Sequence, residues 1–348
     1  MLAMRAKPPA NWRTAHSDLQ RFHSTEEFVE DVQSVLFKHL SDTKKLKTLG
    51  SALADEVRGA DLQGLKLMPT SATWKTRIHE IFSDLNESTD AIEPKLKFVF
   101  FWDEFPFMLD NIARREGADQ AMEVLDCVRA LEAGNSNIRL VLTGSIGLHH
   151  VLKALQAKGY HNSPLNRFSH EQPGPHAPDA ATDLAQALLL GERLLCSDRL
   201  HANAQLIARS VGYVGFYIHK LISRLPITRI ISAELIQATL RREIANVGGD
   251  WDLAHYRQRL EKYYGSDAVL ALYILDSVAH TQPIGFAQIK REISGQLPEL
   301  KPQQVASALR LLVQDHYLVL DGQQNYRFYL DLIRAWWQID RQLELAEE

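Results

Sequence analysis

Two acidic residues, Asp103 and Glu104, directly follow the most apolar stretch of the chain, Phe98–Trp102. An unbroken apolar run of this length predicts a β-strand that is covered on both faces. At the carboxyl end of such a strand, an Asp carboxylate can hold the water shell of a Mg²⁺ ion that bridges two phosphates. The adjacent Glu can polarise the attacking water. We therefore predict Asp103 as a metal ligand and Glu104 as a catalytic residue of the Walker B pattern. The alternative is a strand that simply ends in solvated acidic residues.

A second strand of buried type, Ile138–Thr143, runs into Gly144 and Ser145. Between the two strands, apolar residues recur at helical spacing, at Ala121, Val124, Leu125, Val128 and Leu131. Strand, helix and strand in this order predict a βαβ unit and a parallel sheet. In P-loop ATPases, the strand after Walker B often ends in a polar residue near the γ-phosphate, and Thr143 or Ser145 can donate that hydrogen bond. The alternative is a strand-to-helix turn that needs small residues.

The remaining sequence favours helices on either side of this unit. An extended piece at about Thr14–Leu19 precedes a capping box, Ser24–Glu27, that starts an amphipathic helix. Residues 41–95 are interpreted as a polar helical insertion, and residues 160–180 as a loop rich in Pro, His and Asn. From Ala181 to about Ile244 the pattern is helical throughout.

The last hundred residues predict three helices and a β-hairpin, which is the arrangement of a winged helix-turn-helix. The predicted segments are the helices Asp267–His280, Gly285–Ile293 and Pro302–Asp315, the strands Tyr317–Leu320 and Tyr326–Tyr329, and a final helix, Leu330–Leu345.

Composition describes an ordinary globular protein of 348 residues. Hydrophobic residues make up 45% and charged residues 24% of the chain, and the net charge is −4, which gives no general attraction to nucleic acid or anionic membranes. Two distant cysteines, Cys127 and Cys196, are too few for a disulfide framework or a zinc site. No apolar run reaches the ~20 residues of a membrane span, and the start has no signal peptide. These features predict a cytoplasmic protein.

Several of these strings resemble the AAA+/STAND-type ATPases of bacteria and archaea, which are related to the origin-recognition ATPases. The strongest likeness lies in FVFFWDEFPFML and IRLVLTGSIGLHHVL, within Lys97–Leu155. Asn11–Glu30 looks like the second strand of the family and the helix after it. Val211–Ile218 looks like the G-x-P region of its helical lid, with Gly215 in place of the proline. Tyr326–Arg341 looks like the end of its winged helix. The resemblance implies ATP and Mg²⁺ as cofactors, and Gly212 and Gly215 as residues facing the adenine.

The phosphate-binding loop of such an ATPase, G-x-x-x-x-G-K-[ST], does not occur in the sequence. The family-like match begins at the second strand, within the first twenty residues. We therefore expect the strand–loop–helix unit upstream of Met1, in a truncated or mis-started product or a degenerate gene; a true pseudo-ATPase is the other option. A sheet without that strand exposes an edge, so we also expect an unstable chain or an oligomer that forms through this edge.

The predicted fold class is α/β: a partial P-loop NTPase parallel sheet with a helical lid, followed by a mostly α winged helix-turn-helix domain. The predicted domains are the ATPase core at residues 1–160, the lid at 161–248 and the winged helix at 249–348.

Two functions are carried forward. The first is an ATP-binding switch with impaired hydrolysis, in which Lys220 and Arg224 of the lid can approach the γ-phosphate or simply form a polar helix face. The second is a non-catalytic DNA-binding or adaptor protein that acts through residues 266–345. Its predicted contacts are Lys290, Arg291, Lys301, Gln303, Gln304, Ser307 and Arg310.

Overall fold

The computed structural model describes residues 7–39, 73–90, 97–134, 137–145, 147–162, 164, 166, 168–169, 171, 173–196, 199–246 and 248–343. The chain divides into two units, residues 1–169 and residues 170–348. The part of the predicted insertion at 41–72 and 91–95 lies outside the described residues. The predicted boundary between the lid and the winged-helix domain falls inside the second unit, and this finer division stays a prediction.

The first unit builds a small parallel sheet with helices around it. Its described elements are β1 (Trp12–Asp18), α1 (Thr25–His39), α2 (Trp74–Asp90), β2 (Lys97–Asp103), α3 (Phe105–Arg115), α4 (Ala118–Gly134), β3 (Ile138–Leu142) and α5 (Leu148–Gln156). The strand order is β1-β2-β3, and both pairs run parallel. This confirms the predicted βαβ unit.

The connection between β2 and β3 corrects one detail of the prediction. It contains two helices, α3 and α4, where the sequence pattern predicts one. The break lies at Gly117, whose φ of 102° belongs to a region that residues with a side chain rarely adopt. A helix cannot continue through that conformation, so the chain starts a new helix at Ala118.

The centre of the first unit is the aromatic face of β2. Phe98, Phe100 and Trp102 alternate along the strand, so they point to the same side of the sheet. The Phe100 ring stacks on Phe82 of α2 at 5.0 Å, and the Trp102 ring meets Phe28 of α1 edge-on at 5.1 Å. Burial of these rings fixes α1 and α2 against the sheet, and it holds the acidic end of β2 in place.

The start of α1 confirms the Ser24 half of the predicted capping box, while the Glu27 side chain bonds to the residue before the cap. Glu27 N donates to Ser24 Oγ at 3.2 Å, and the Glu27 carboxylate accepts from His23 N at 2.7 Å. The hydrogen bond from the His23 backbone is the largest cause that lowers the pKa of Glu27 below its usual value. Arg115 lowers it further through its charge. These contacts satisfy backbone donors that an α-helix leaves unpaired at its N-terminus.

The second unit is mostly helical and shares one apolar core, which runs from Ala181 to Trp337. Its described elements are α6 (Pro178–Gly191), α7 (Leu200–Ser210), α8 (Gly215–Ser223), α9 (Ala233–Ile244), α10 (Ala254–Tyr263), α11 (Ala268–His280), β4 (Ile284–Gly285), α12 (Phe286–Ser294), α13 (Pro302–Gln314), β5 (Leu318–Leu320), β6 (Asn325–Phe328) and α14 (Asp331–Asp340).

The carboxyl-terminal part of this unit holds a small antiparallel sheet with the order β4-β6-β5. The predicted helices appear as α11, α12 and α13, and the predicted hairpin appears as β5 and β6. The sequence pattern misses α10 and β4. The predicted final helix is shorter than expected, because α14 ends at Asp340.

Helix lengths in the described part of the chain are ordinary for a globular protein. The longest helices, α2 and α4, have 17 residues each. None of the described helices combines the length and the hydropathy that are needed to cross a membrane.

Candidate functional site

Asp103 and Glu104 lie at the carboxyl rim of the parallel sheet. Asp103 is the last residue of β2, and Glu104 precedes the first turn of α3. Glu104 has a left-handed backbone, with φ 56° and ψ 31°, which is uncommon for a residue that carries a side chain. This conformation turns the chain sharply from strand to helix and keeps both carboxylates at the rim.

Thr143 joins them from the neighbouring strand. Its backbone N–H donates to Trp102 O at 3.0 Å, and its carbonyl accepts from Phe105 N at 3.0 Å, so the backbone fixes its position on both sides. Its hydroxyl donates to Asp103 Oδ1 at 2.5 Å. The parallel register therefore brings Asp103 and Thr143, two of the predicted site residues, into direct contact.

Ser145 completes a group of four residues that we call the rim cluster: Asp103, Glu104, Thr143 and Ser145. The Ser145 backbone N–H lies 3.1 and 3.0 Å from the two carboxylate oxygens of Glu104, and its hydroxyl donates to Glu104 Oε2 at 2.8 Å. In this arrangement, both oxygens of Glu104 accept hydrogen bonds from a single residue. Ser145 thus holds the carboxylate that the sequence predicts to be catalytic.

The oxygens of the rim cluster suit a hard cation such as Mg²⁺. Asp103 Oδ1 accepts from Thr143 and from Glu104 N at 3.2 Å, while Oδ2 accepts no hydrogen bond from the described residues. The Asp103, Glu104 and Thr143 side chains are half-buried, and Ser145 is exposed. No third His, Cys, Asp or Glu in the described chain comes close enough to complete a metal cage with Asp103 and Glu104. A magnesium ion here would depend on water and phosphate oxygens for its other ligands.

Sequence reasoning missed one acidic residue at the same rim, Asp18. It closes β1 as Asp103 closes β2, and the two residues are direct partners in the parallel register. One of its carboxylate oxygens accepts from Gln20 N at 3.1 Å. The sequence does contain the signal for Asp18: an acidic residue at the end of a strand, which is also the pattern that predicts Asp103.

The predicted adenine-facing glycines, Gly212 and Gly215, belong to the second unit. Gly212 has φ 65° in the turn between α7 and α8, and a Cβ there would lie 2.8 Å from Leu330 Cδ2. A Cβ on Gly215 would lie 2.9 Å from His176 Nε2. The left-handed backbone gives Gly212 a structural reason to be glycine, whereas at Gly215 the exposed His176 ring can turn away from an added side chain. The role of both glycines toward a nucleotide stays a prediction.

Lys220 and Arg224 of α8 form an ion-pair cluster with Asp250. Lys220 Nζ lies 2.9 Å from Asp250 Oδ2, and Arg224 Nη2 lies 2.6 Å from Asp250 Oδ1. Arg224 also approaches the buried Glu243, with 3.6 Å between Nε and Oε2. Hydrogen bonds from Lys220 and then from Arg224 hold the pKa of Asp250 below its usual value. In this structure, the two cations therefore belong to a polar helix face.

Comparisons with known proteins identify the fold. No family model and no curated protein matches the chain. Among solved structures, the Walker-type ATPase of Pyrococcus abyssi matches with a TM-score of 0.61 and 15% identity, over 94% of this chain and 84% of that one. The ORC2 protein of Aeropyrum pernix, in its ADPNP–ADP complexes, matches with a TM-score of 0.49 and 14% identity, over 97% of this chain and 80% of that one. The first likeness shows that the chain has the fold of a Walker-type P-loop ATPase.

Proposed function

We propose that this chain is an AAA+/STAND-like ATPase homologue of the cytoplasm that binds a magnesium nucleotide as a conformational switch and hydrolyses it poorly. The rim cluster carries this proposal, because it groups two carboxylates, Asp103 and Glu104, and two hydroxyl donors at the carboxyl edge of a parallel sheet. In open α/β sheets, ligands bind outside this edge.

Asp103 would hold the magnesium ion, directly or through its water shell. Thr143 holds the carboxylate by donating to Oδ1, which leaves Oδ2 available to a ligand. Bound Mg²⁺ would neutralise phosphate charge, and its preference for few protein ligands fits a rim cluster in which one carboxylate oxygen, Asp103 Oδ2, accepts no hydrogen bond from the described residues. Thr143 and Ser145 would then donate hydrogen bonds to the terminal phosphate, so their contacts would differ with and without it.

Glu104 would position the attacking water, but its carboxylate is tied to Ser145 in the structure. It must leave these hydrogen bonds before it can accept a proton from water. Phosphoryl transfer depends on positioning and on charge neutralisation, which the Gly-Lys-Ser/Thr loop provides in such enzymes. Because this sequence contains no such loop, we expect a switch that cycles slowly or not at all.

The second unit would respond to the nucleotide. We propose that residues 161–248 act as a helical lid and residues 249–348 as a winged-helix domain, with Gly212 and Gly215 in the lid turn. The shared core of the second unit supports a joint movement of both parts, since a continuous buried interior resists internal bending.

Turnover of Mg-ATP tests the catalytic half of this proposal. We expect phosphate release by the purified chain to stay at background, and Glu104→Gln to leave it unchanged, because the phosphate-positioning loop is missing. Binding of a fluorescent ATP analogue, measured in parallel, should depend on Mg²⁺. Turnover that Glu104→Gln abolishes would contradict the proposed deficiency. No magnesium-dependent binding at millimolar nucleotide would overturn the switch itself.

A second candidate function, DNA binding without catalysis, is favoured by the surface of α13. Val305, Leu309 and Leu312 of this helix are buried, and its opposite face is polar. The exposed residues there are Lys301, Gln303, Gln304, Ser307 and Arg310. Arg327 of β6 is also exposed. A polar, basic helix face beside a hairpin fits the major groove of a duplex.

Duplex binding at graded salt concentrations tests this second function. Replacing both Lys301 and Arg310 by Ala should weaken binding and reduce the slope of log K against log salt by about 1 for each lost phosphate contact. Arg241→Ala, which removes an exposed charge from α9, serves as the matched control and should leave the slope unchanged. Absence of binding at low salt, or equal effects of both variants, would leave a protein-docking adaptor as the role of residues 266–345.

A further inference from the structure

Four large aliphatic side chains of the second unit are exposed: Leu190 (59%), Leu195 (53%), Ile227 (65%) and Ile230 (64%). Leu190 lies at the end of α6, Leu195 in the loop before α7, and Ile227 and Ile230 in the loop before α9. Single exposed apolar residues are normal on a protein surface, whereas a group of them marks an interaction site. These four are half of the eight large apolar side chains that are exposed in the described chain. We call them the aliphatic patch.

A parallel bridge brings the two loops together. Leu195 and Ile230 are partners in this bridge, so their side chains lie next to each other on the same face. The residues that follow them, Cys196 and Ile231, are buried, and this alternation directs Leu195 and Ile230 away from the core. The other two members of the patch precede the bridge partners by a few residues.

Hydrogen bonds fix the backbone beneath the patch. Ile231 N donates to Leu195 O at 2.7 Å, and the buried Asn203 side chain of α7 donates to Ile231 O at 2.8 Å. Leu194 N donates to Leu189 O at 3.0 Å and closes the end of α6. The aliphatic side chains are therefore presented by an ordered backbone, so a partner would not have to order this surface when it binds.

Arginines lie beside the patch. The charged residues described within 190–199 and 225–234 are all exposed, and they are Glu192, Arg193, Arg199, Arg229 and Glu234. Arg229 directly precedes Ile230, and Arg193 has φ 55° at a helix end where glycine is usual. Neither arginine forms an ion pair with a described residue. The surface thus has an apolar centre and a border with excess positive charge, like the centre and rim of a protein interface.

We propose that the aliphatic patch binds an acidic amphipathic segment of a partner protein. The apolar side chains of this segment would cover Leu195 and Ile230, and its carboxylates would pair with Arg193 and Arg229. Duplex DNA fits this surface poorly, because phosphates make no favourable contact with aliphatic side chains. The patch contains no residue of the rim cluster or of α13, so binding should be the same with and without Mg-ATP.

Designed peptides test the chemistry of the partner. Three fluorescein-labelled helical peptides of about 18 residues would share one leucine stripe and carry Glu, Gln or Lys on the opposite face. In fluorescence anisotropy titrations, the full chain should bind the Glu peptide at least about tenfold more tightly than the Lys peptide, because only the Glu peptide complements the arginines. Added salt should reduce this difference.

Substitutions locate the binding surface. The double variant Leu195→Gln with Ile230→Gln should weaken binding of the Glu peptide about tenfold or more, since it removes the apolar centre of the contact. The double variant Arg193→Gln with Arg229→Gln should reduce the preference for the Glu peptide over the Gln peptide to about one, because the pairing charges are gone. All four side chains are exposed, so circular dichroism should show an unchanged fold.

Val269→Gln and Arg241→Gln are the matched controls, because they change an exposed apolar and an exposed charged side chain elsewhere in the second unit. Both should bind the Glu peptide like the wild type. Arg193→Gly suits the left-handed backbone, so it should fold normally and still lose part of the preference for the Glu peptide.

Four results would overturn the proposal. They are no binding of the Glu peptide at millimolar concentration, equal binding of the three peptides, patch variants that bind like the controls, and a surface that binds phosphatidylserine vesicles instead of the Glu peptide. Loss of nucleotide binding would leave the proposal standing, since the two sites share no residue.

Discussion

Replacing Trp102 by alanine is expected to lower the free energy of unfolding of the first unit by about 3–5 kcal/mol. The side chain is only 1% exposed, and its ring lies 5.1 Å from Phe28, 5.8 Å from Phe100 and 6.2 Å from Phe105. Truncation would open a cavity where β2, α1 and α3 meet, directly beneath Asp103. Urea denaturation followed by circular dichroism measures the loss.

Trp102→Phe is the matched comparison. Phenylalanine keeps an aromatic ring in the cavity and removes an indole N–H for which the described residues offer no hydrogen-bond acceptor. An unpaired buried donor costs about 1–3 kcal/mol, which offsets much of the lost contact area. We expect this variant to stay within about 1.5 kcal/mol of the wild type. Equal losses for the two variants would show that the indole, and not the filled volume, stabilises the unit.

Replacing Asp103 by Asn is expected to remove the magnesium dependence of nucleotide binding. In the wild type, Mg²⁺ should strengthen binding of an ATP analogue about tenfold or more over EDTA, which is equivalent to about 1.4 kcal/mol. Asparagine keeps the size of the side chain and its acceptor for Thr143, but it loses the negative charge that holds the cation. Fluorescence titrations with and without Mg²⁺ measure the ratio, which should fall to about one.

Asp18→Asn is the control, because Asp18 lies at the same rim as the register partner of Asp103 but outside the rim cluster. Its magnesium ratio should match that of the wild type. If the two substitutions lower the ratio equally, the rim attracts the ion only by its general negative charge. An unchanged ratio in Asp103→Asn would remove the metal-ligand assignment.

The sequence predicts the centre of the first unit well because hydrophobicity alone decides it. The run Phe98–Trp102 has no polar residue, and only a strand covered on both faces can bury it. α10 escapes prediction for the opposite reason. It is mostly polar, and Leu260 is its single fully buried residue, so the chain shows little periodicity there. The break at Gly117 is equally hidden, since a lone glycine does not distinguish a bend from a helix end.

The grouping of Asp103, Thr143 and Ser145 follows from the parallel order of the strands, which places their carboxyl ends together. The hydrogen bonds between Ser145 and Glu104 could not be predicted from the sequence, because they depend on a left-handed backbone at Glu104 that no sequence pattern indicates. Polar contacts between residues far apart in the sequence likewise cannot be predicted from it. Asp250 binds Lys220 and Arg224 across 30 and 26 positions of the chain, and no periodicity connects such residues.

The left-handed backbone at Glu104 makes the proposed catalytic role of its carboxylate costly for the stability of the fold. For any residue other than Gly, and to a lesser degree Asn or Asp, this conformation costs about 1–2 kcal/mol. A descendant that no longer needs the carboxylate would gain stability by exchanging Glu104 for glycine or asparagine. Retention of glutamate at this turn, in natural variants of the chain, would therefore be a sign of continued selection for what its carboxylate does.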